Sequence, residues 1–220
     1  IRPTAVVLHN VLEELKEEKS LEKIDELLEK LESVNQKVSK VAQKIIPKNV
    51  TILTYCHSSE VVSCILEAHK MKKVARVFVG KTEPLHQGLI TAKELSKHKV
   101  PVTLINDNAC GYFMSEVDLV LTGTDAIRKE GIVNKIGTSM IAIVAKEHGV
   151  PFYSVGSYFK IDRRREITIE ERSWKELIER KIRGVDVRNP AFDITPWKYV
   201  KGVIFEDSIK RPREIMRMLK

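Results

Sequence analysis

The feature that most constrains the fold is an alternation of short apolar runs with segments of helical spacing from residue 50 onwards. The apolar runs are Val50–Tyr55, Val74–Val79, Val100–Ile105, Leu119–Thr122, Pro151–Val155 and Val203–Phe205. The segments between them are Ser59–Lys73, Gly88–Lys99, Cys110–Val117 and Thr138–His148. This alternation predicts an α/β fold with a doubly wound, mainly parallel sheet. Because the runs are continuously apolar, we expect helices to cover both faces of the sheet.

The first 47 residues instead have the periodicity of helices. One helix is predicted over Thr4–Lys19, and Ser20 is a suitable N-cap for a second helix whose apolar stripe continues up to Pro47. This stripe would suit either a coiled-coil partner or the neighbouring sheet, and we favour packing on the sheet. We therefore predict a helical N-terminal segment over residues 1–47 and a sheet domain over residues 48–220. Because the sequence does not start with Met, we expect the N-terminal segment to be truncated.

Composition and charge exclude several classes of protein. No apolar run approaches the ~18 residues needed to cross a bilayer, so we expect no membrane-spanning role. Three cysteines without CxxC spacing favour a reducing, cytoplasmic location and argue against a zinc site. The net charge of +8 would suit nucleic acid, anionic ligands or merely a lysine-rich surface, because lysine and glutamate are interspersed. One local basic run, Arg163–Arg165, stands apart.

The first strand-end loop, Cys56-His57-Ser58-Ser59, is a candidate ligand site. Ligands of doubly wound sheets bind beyond the carboxyl ends of the strands, and this loop leads into a helix N-terminus, which favours anions. Ser58 and Ser59 can cap the helix and hydrogen-bond a phosphate, and the same field would lower the pKa of Cys56 and favour its thiolate. The plainer interpretation is that Ser59 is only a cap and Cys56 only a small buried residue.

Two further loops are less specific. Gln87-Gly88 opens a helix and can present donors to an anion, although turn chemistry alone would explain it. The loop Asn106–Asn108 could simply cap the next helix. Residues 157–189 break the alternation and are interpreted as a long connection over one edge of the sheet, with a short helix near Glu170–Ile182.

The loop that begins at Gly123 is the most informative. Asp125 follows a predicted strand, and Asn134 and Lys135 supply an amide and an ammonium. Gly137-Thr138 then begins another helix, which we expect to be a further anion-binding end. A thiol, a carboxylate and several phosphate donors at strand ends predict a site that binds a phosphorylated small molecule and moves protons between neighbouring atoms.

A series of short motifs resembles one known superfamily over nearly the whole chain. The motifs are Arg2–Val6, the Cys56 loop, Gln87-Gly88, Gly123–Asp125, Asn134–Thr138, Pro151–Tyr153 and Asn189–Pro196. The superfamily contains ribose-1,5-bisphosphate isomerase, methylthioribose-1-phosphate isomerase and the alpha, beta and delta regulatory subunits of translation initiation factor 2B. The resemblance implies a Rossmann-like phosphate-ligand-binding domain preceded by helices, in a homodimer or a hexamer.

The resemblance also implies roles for individual residues. Cys56 and Asp125 match the proton-transfer pair of the isomerases, in which the thiolate takes the proton from the carbon next to the carbonyl and the carboxylate shuttles the hydroxyl proton. The matched sugar- and phosphate-binding positions are Arg2, Ser58, Ser59, Gln87, Asn134, Lys135 and Lys160. Neither a cofactor nor a metal is implied.

Three departures from the superfamily pattern bear on phosphate binding. The isomerases carry an arginine–glycine phosphate loop upstream of the motif that matches Arg2. This sequence begins after that point, so we expect part of a phosphate site to be missing. Glu60 stands where a small residue is usual, and Glu83 replaces an arginine before Pro84. Both carboxylates would oppose a bound phosphate unless they point away from it.

Two functions are favoured from the sequence, and other binding proteins on the same fold also remain open. The first is an aldose–ketose isomerase of a sugar phosphate, most similar to the ribose-1,5-bisphosphate type, because Cys56 and Asp125 are both retained and the glycine-rich stretch of the methylthioribose type is absent. The alternative is a non-catalytic subunit, similar to those of initiation factor 2B, that binds a nucleotide or sugar phosphate and a partner factor. The departures and the basic run Arg163–Arg165 favour this alternative.

Overall fold

The computed structural model describes residues 5–219, which form seven α-helices and ten β-strands. The helices are α1 (Val6–Glu17), α2 (Leu21–Ala42), α3 (Ser59–Lys70), α4 (Gln87–Lys97), α5 (Ala109–Tyr112), α6 (Thr138–Glu147) and α7 (Pro212–Met218). The strands are β1 (Val50–Tyr55), β2 (Val74–Gly80), β3 (Val102–Ile105), β4 (Leu119–Gly123), β5 (Ala126–Arg128), β6 (Gly131–Lys135), β7 (Phe152–Val155), β8 (Phe192–Pro196), β9 (Gly202–Ile204) and β10 (Ile209–Lys210). Each of the six predicted apolar runs overlaps a strand, to within two residues at either end.

Seven strands form the central sheet in the order β10-β9-β7-β4-β1-β2-β3. All neighbours in this sheet are parallel except β9 and β10, so the predicted mainly parallel α/β fold is confirmed. From β1 the chain builds outward through β2 and β3, and then returns to the other side of β1 with β4. The strand order therefore reverses between β1 and β4, and such a switch point opens a crevice at the carboxyl ends of the two strands.

A second sheet, of three antiparallel strands in the order β5-β6-β8, corrects our interpretation of the segment after Gly123 as a loop. Asn134 and Lys135 lie in β6, opposite Asp193 and Phe192 of β8. Strands β5 and β6 are only three and five residues long, so they left no clear period in the sequence. The sheet holds both side chains on a rigid element rather than on a mobile turn.

Two hydrophobic cores lie on the two faces of the central sheet. One joins the sheet to α2, α3 and α4, and the other joins it to α5, α6 and α7. Helices therefore cover both faces, as the apolar strands predicted. The carboxyl ends of the strands are left for the polar site.

The N-terminal helices are packed differently along their length. Val34, Val38 and Ala42 of α2 are buried in the core formed with the sheet, which confirms packing on the sheet. Leu21 and Leu28, nearer the start of α2, are exposed. Helix α2 ends at Ala42, before Pro47, and its Ser20 cap accepts a hydrogen bond from the amide of Lys23, as predicted. The division of the chain at residue 47 remains a prediction.

The long connection after β7 contains only short turns. The helix expected near Glu170–Ile182 is wrong, because a single 3-10 turn at Trp174–Glu176 is the only helical element there in the described chain. Two arginines of the basic run Arg163–Arg165 form bonds with other groups of the protein. Arg164 pairs with buried Asp162 at 2.8 Å, and Arg163 donates to the carbonyl of Met218 at 3.3 Å.

Candidate functional site

A cleft of about 520 Å³ opens at the switch point between β1 and β4. Its lining includes Cys56, Ser58, Ser59, Gln87, Asp125, Asn134, Lys135 and Lys160. These are all the site residues predicted from the sequence except Arg2, which lies outside the described residues. The cleft size is that of ordinary small-molecule sites. The fold thus brings together side chains that are separated by up to about a hundred residues.

Cys56 is held in the cleft by hydrogen bonds on both sides of its backbone. Its amide donates to the hydroxyl of Thr82 at 2.9 Å, and the hydroxyl of Thr91 donates to its carbonyl at 2.9 Å. The residue has φ of 68°, in the left-handed region that costs a non-glycine residue about 1 kcal/mol or more. This backbone conformation therefore depends on the two threonines.

Asp107 anchors Thr82 in turn. Its carboxylate accepts from the amides of Thr82 and Glu83, both at 2.7 Å. Capping of the next helix, the simple interpretation of Asn106–Asn108, is therefore not sufficient, because Asp107 also braces the neighbouring loop beneath Cys56. In the sequence, this role was indicated only by an acidic residue that follows a strand. The amides that Asp107 binds could be identified only from the fold.

The expected lowering of the Cys56 pKa is also wrong. Burial raises the pKa of the Cys56 thiol from 9.0 to about 11, against the lowering effect of the His57 amide and Lys135. The negative charges of Asp125 and Asp107 raise it further. Removing the thiolate from water outweighs the favourable field of the helix N-terminus.

Asp125 lies between β4 and β5, and its amide donates to the carbonyl of Val133 at 2.8 Å. Burial raises the pKa of the Asp125 carboxyl, although the cations of Lys160 and Lys135 oppose this change, and the charge of Glu60 adds to it. Acid–base chemistry requires groups that can give and take protons within reach of one bound molecule, and Cys56 and Asp125 line the same cleft.

Lys135 is a buried ammonium group at 6% exposure. Its Nζ lies 5.3 Å from the centre of the Phe192 ring, and no carboxylate oxygen in the described part of the chain lies within 4.0 Å of it. The amide of Asn134, beside it, donates to the Thr138 hydroxyl at 3.0 Å. A buried charge without an ionic partner is costly, so this corner of the cleft favours an anionic ligand.

Glu60 does not point away from the cleft. Its carboxylate forms an ion pair with Lys160 and accepts a hydrogen bond from the Ser58 hydroxyl at 2.7 Å. Burial alone would raise the pKa of Glu60, but Lys160 and Ser58 bring it below the ordinary value. Ser58, rather than Ser59, is the N-cap of α3, with its hydroxyl 3.3 Å from the amide of Val61.

Glu83, in contrast, points into solvent. Its exposed carboxylate pairs with Lys81 at 2.6 Å and with His86 at 2.8 Å, and it does not line the cleft. Of the two added carboxylates, only Glu60 can oppose an anion in the cleft.

The N-terminus of α6 is not the anion site that Gly137-Thr138 predicted. The carboxylate of Asp193 accepts from the amides of Gly137 at 2.8 Å and Ser139 at 3.1 Å. An internal side chain therefore already satisfies this helix end.

At the start of α4, too, a backbone amide is already hydrogen-bonded within the protein. The Gly88 amide donates to the Lys81 carbonyl at 3.1 Å. The Oε1 atom of Gln87, however, is buried without a hydrogen-bond partner among the described residues, and its side chain lines the cleft. Gln87 is therefore available to orient a ligand.

The sequence interpretation missed Arg172, which lines the cleft from the long connection. Its guanidinium pairs with Glu176 at 2.5 Å and Glu170 at 3.2 Å. Asn189, the first residue of one superfamily motif, holds this turn by donating to Ser173 and Glu176. The motif Asn189–Pro196 was therefore an indication in the sequence that the connection over residues 157–189 contributes to the cleft.

Within residues 5–219, no cluster of three or more His, Cys, Asp or Glu side chains is suited to a metal ion. None of the described helices has the length and apolar character needed to traverse a bilayer. All three cysteines are unpaired.

Comparison with known proteins matches residues 1–209 to the initiation factor 2 subunit family. The ribose 1,5-bisphosphate isomerase of Methanocaldococcus jannaschii is 40% identical, over 96% of this chain and 74% of that protein. A methylthioribose-1-phosphate isomerase of Acetivibrio thermocellus is 42% identical, over 77% of this chain and 56% of that protein.

A solved structure shares the fold. The translation initiation factor eIF-2B of Pyrococcus horikoshii superposes with a TM-score of 0.79 and 31% identity, covering 90% of this chain and 70% of that chain. The superfamily resemblance drawn from the motifs is thus confirmed by sequence and by structure. The chain belongs to the initiation factor 2 subunit family, whose members similar to it include sugar-phosphate isomerases and initiation factor subunits.

Proposed function

We propose that this protein is an aldose–ketose isomerase of a sugar phosphate, most similar to ribose 1,5-bisphosphate isomerase, with Cys56 and Asp125 as its proton-transfer pair. The observation that carries the proposal is that this thiol and this carboxyl line one cleft together with the ammonium of Lys135, which has no carboxylate within ion-pair distance among the described residues. The 40% identity to the Methanocaldococcus enzyme supports the choice of substrate.

The proposed chemistry needs no external oxidant, because isomerisation only moves hydrogen between neighbouring atoms of one molecule. Since burial raises the pKa of the Cys56 thiol, that thiol must first pass its proton to another group, and the carboxylate of Asp125 is the proposed acceptor. In ribose 1,5-bisphosphate the C1 oxygen carries a phosphate, so the ring must open first: Asp125 gives its proton to the ring oxygen as the bond from that oxygen to C1 breaks. The thiolate takes the proton from C2, which forms the C1–C2 double bond of an enol, and then returns it to C1. Asp125 receives the proton of the C2 hydroxyl, which leaves a ketone at C2 and the phosphate still on C1.

The ligand contacts in this proposal come from the rest of the cleft. Lys135 attracts the phosphate, and Asn134 and Gln87 orient the sugar by hydrogen bonds. Ser58, Ser59, Lys160 and Arg2 remain proposed contacts to a phosphate. The sheet domain over residues 48–220 would bind the ligand, and the helical segment over residues 1–47 would precede it.

A second candidate function is a regulatory subunit similar to initiation factor 2B, which binds a nucleotide or sugar phosphate and a partner factor. The ion pair between Glu60 and Lys160 favours it, because this pair occupies donors that a substrate phosphate would need. The likeness to the solved initiation factor also supports it. For either function we propose a homodimer or a hexamer, and a cytoplasmic location because the cysteines are unpaired.

Turnover of ribose 1,5-bisphosphate, followed by NMR, tests the two functions. We expect the wild-type protein to form the ketose, and both Cys56→Ser and Asp125→Asn to reduce the rate by about 10³-fold or more, in the range of a lost acid–base group. Cys110→Ser is the matched control, since Cys110 is buried outside the cleft. Absence of turnover by the wild-type protein, together with binding to an initiation factor, would favour the regulatory subunit.

A further inference from the structure

The two lysines of the cleft are not equivalent as binding sites for an anion. Lys135 has no carboxylate within ion-pair distance in the described chain, whereas Lys160 is paired with Glu60. Both partners of this pair are nearly buried, at 14% exposure for the Lys160 side chain and 12% for that of Glu60. Because little water surrounds the pair, its charges are weakly screened and strongly coupled.

The contacts of the Glu60 carboxylate are those that a phosphate would make at the same place. The carboxylate has an ammonium partner in Lys160 and a hydroxyl donor in Ser58, 2.7 Å away. It lies in the first turn of α3, where the free amides and the helix dipole stabilise negative charge. The protein therefore fills this end of its own cleft with an anion.

From this arrangement we infer that Glu60 is an internal competitor of substrate phosphate, and that it determines how strongly the cleft discriminates a bisphosphate from a monophosphate. A monophosphate binds at Lys135 and leaves the Glu60–Lys160 pair intact. A second phosphate must displace the Glu60 carboxylate from Lys160 and Ser58 or lie beside it against charge repulsion. The identity of the sugar rests on the proposed function, but the competition with phosphate does not.

Calorimetric binding of ribose 1,5-bisphosphate, ribose 5-phosphate and inorganic phosphate tests this inference without requiring turnover. We expect Glu60→Gln to tighten binding of the bisphosphate about 10-fold or more, because one unit charge beside a phosphate is removed. Binding of the two monophosphate probes should change by less than about threefold. The matched control is Glu83→Gln, which removes an exposed carboxylate outside the cleft and should change none of the three constants.

A double-mutant cycle separates competition from a structural role for Glu60. Lys160→Met alone leaves the Glu60 carboxylate unpaired in the cleft, so it should weaken bisphosphate binding. In the Glu60→Gln background the same change should cost about 10-fold or more, because Lys160 is then free to bind the phosphate, and the double variant should return to within about threefold of the wild type, because neither places a net charge at this end of the cleft. Thermal unfolding of each variant establishes that it is folded, and a merely structural Glu60 would give no tightening in Glu60→Gln and no such loss when Lys160 is then replaced.

The outcomes distinguish this inference from the proposed function. If the wild-type protein shows no turnover but Glu60→Gln binds the bisphosphate more tightly, the isomerase proposal fails and the competition stands. If turnover is present but Glu60→Gln binds the bisphosphate equally or more weakly, the competition is overturned. If the wild-type protein binds no probe, Glu60→Gln should gain measurable binding of the bisphosphate, and failure to gain it would also overturn the inference.

Discussion

The reactivity of Cys56 should report the burial of the cleft directly. Burial raises the pKa of its thiol from 9.0 to about 11, so at pH 8 roughly 0.1% of the thiol is ionised instead of roughly 9%. This difference corresponds to about 2.7 kcal/mol and should slow alkylation by iodoacetamide about 100-fold relative to an ordinary cysteine, because the thiolate is the nucleophile.

Peptide mapping by mass spectrometry after timed alkylation between pH 7 and 11 would follow Cys56 separately from Cys64 and Cys110. Asp125→Asn removes a negative charge that raises the pKa of Cys56, so its rate profile should move to lower pH. Lys135→Met removes a positive charge that lowers this pKa, so its profile should move to higher pH. Both other cysteines are buried and should react only after unfolding.

A wild-type alkylation rate that levels off at or below pH 8.5 would refute this reasoning. It would mean that the helix N-terminus and Lys135 outweigh the loss of hydration, as the sequence alone suggested. Glu83→Gln, whose charge lies outside the cleft, should leave the profile unchanged and so guards against general effects of charge.

Two further predictions concern stability. Gly88→Ala should destabilise the protein by about 2 kcal/mol or more in urea unfolding, because the added Cβ would lie 1.8 Å from the carbonyl oxygen of Gly80. Gly111→Ala, where the nearest atom is 3.9 Å away, should be neutral or stabilising, and equal effects would contradict the packing argument. Burial alone would raise the pKa of Asp162, but its arginine partners, including Arg128 at 2.5 Å, bring it below its ordinary value. The stability this provides is present above about pH 4 and lost as the pH falls towards the folded pKa. Asp162→Asn should therefore flatten the acid side of the stability profile and leave the buried Arg128 with only the partly exposed Glu130 as its ionic partner, at a cost of about 3 kcal/mol, and an unchanged profile would count against the pair.

Local patterns were sufficient for the central sheet and its helices. Each apolar run that became a strand, such as Val50–Tyr55, carried its own signal of continuous burial and flanking turns. The placement of Cys56 and Asp125 near one another followed from a rule of topology, since residues that follow parallel strands meet at the same edge. These inferences need no knowledge of which distant side chains come into contact.

Other features depended on contacts between distant segments. Strand β6 pairs with β8, about sixty residues later, and no local period marks such short strands. Asp193 caps α6 from 56 residues away, which removed one predicted anion site. Glu60 reaches Lys160 across a sequence separation of 100 residues, so the direction of its carboxylate was not readable from its neighbours.

The sequence by itself determined most chemical groups of the cleft and the edge of the sheet where they lie, because residue type and the position of a residue directly after a strand are local properties of the chain. Only the tertiary structure decided the direction in which the pKa of Cys56 is shifted and the partner with which Lys160 forms an ion pair. Both depend on the water and the charges that surround a group, and those are set by segments brought together only when the chain folds.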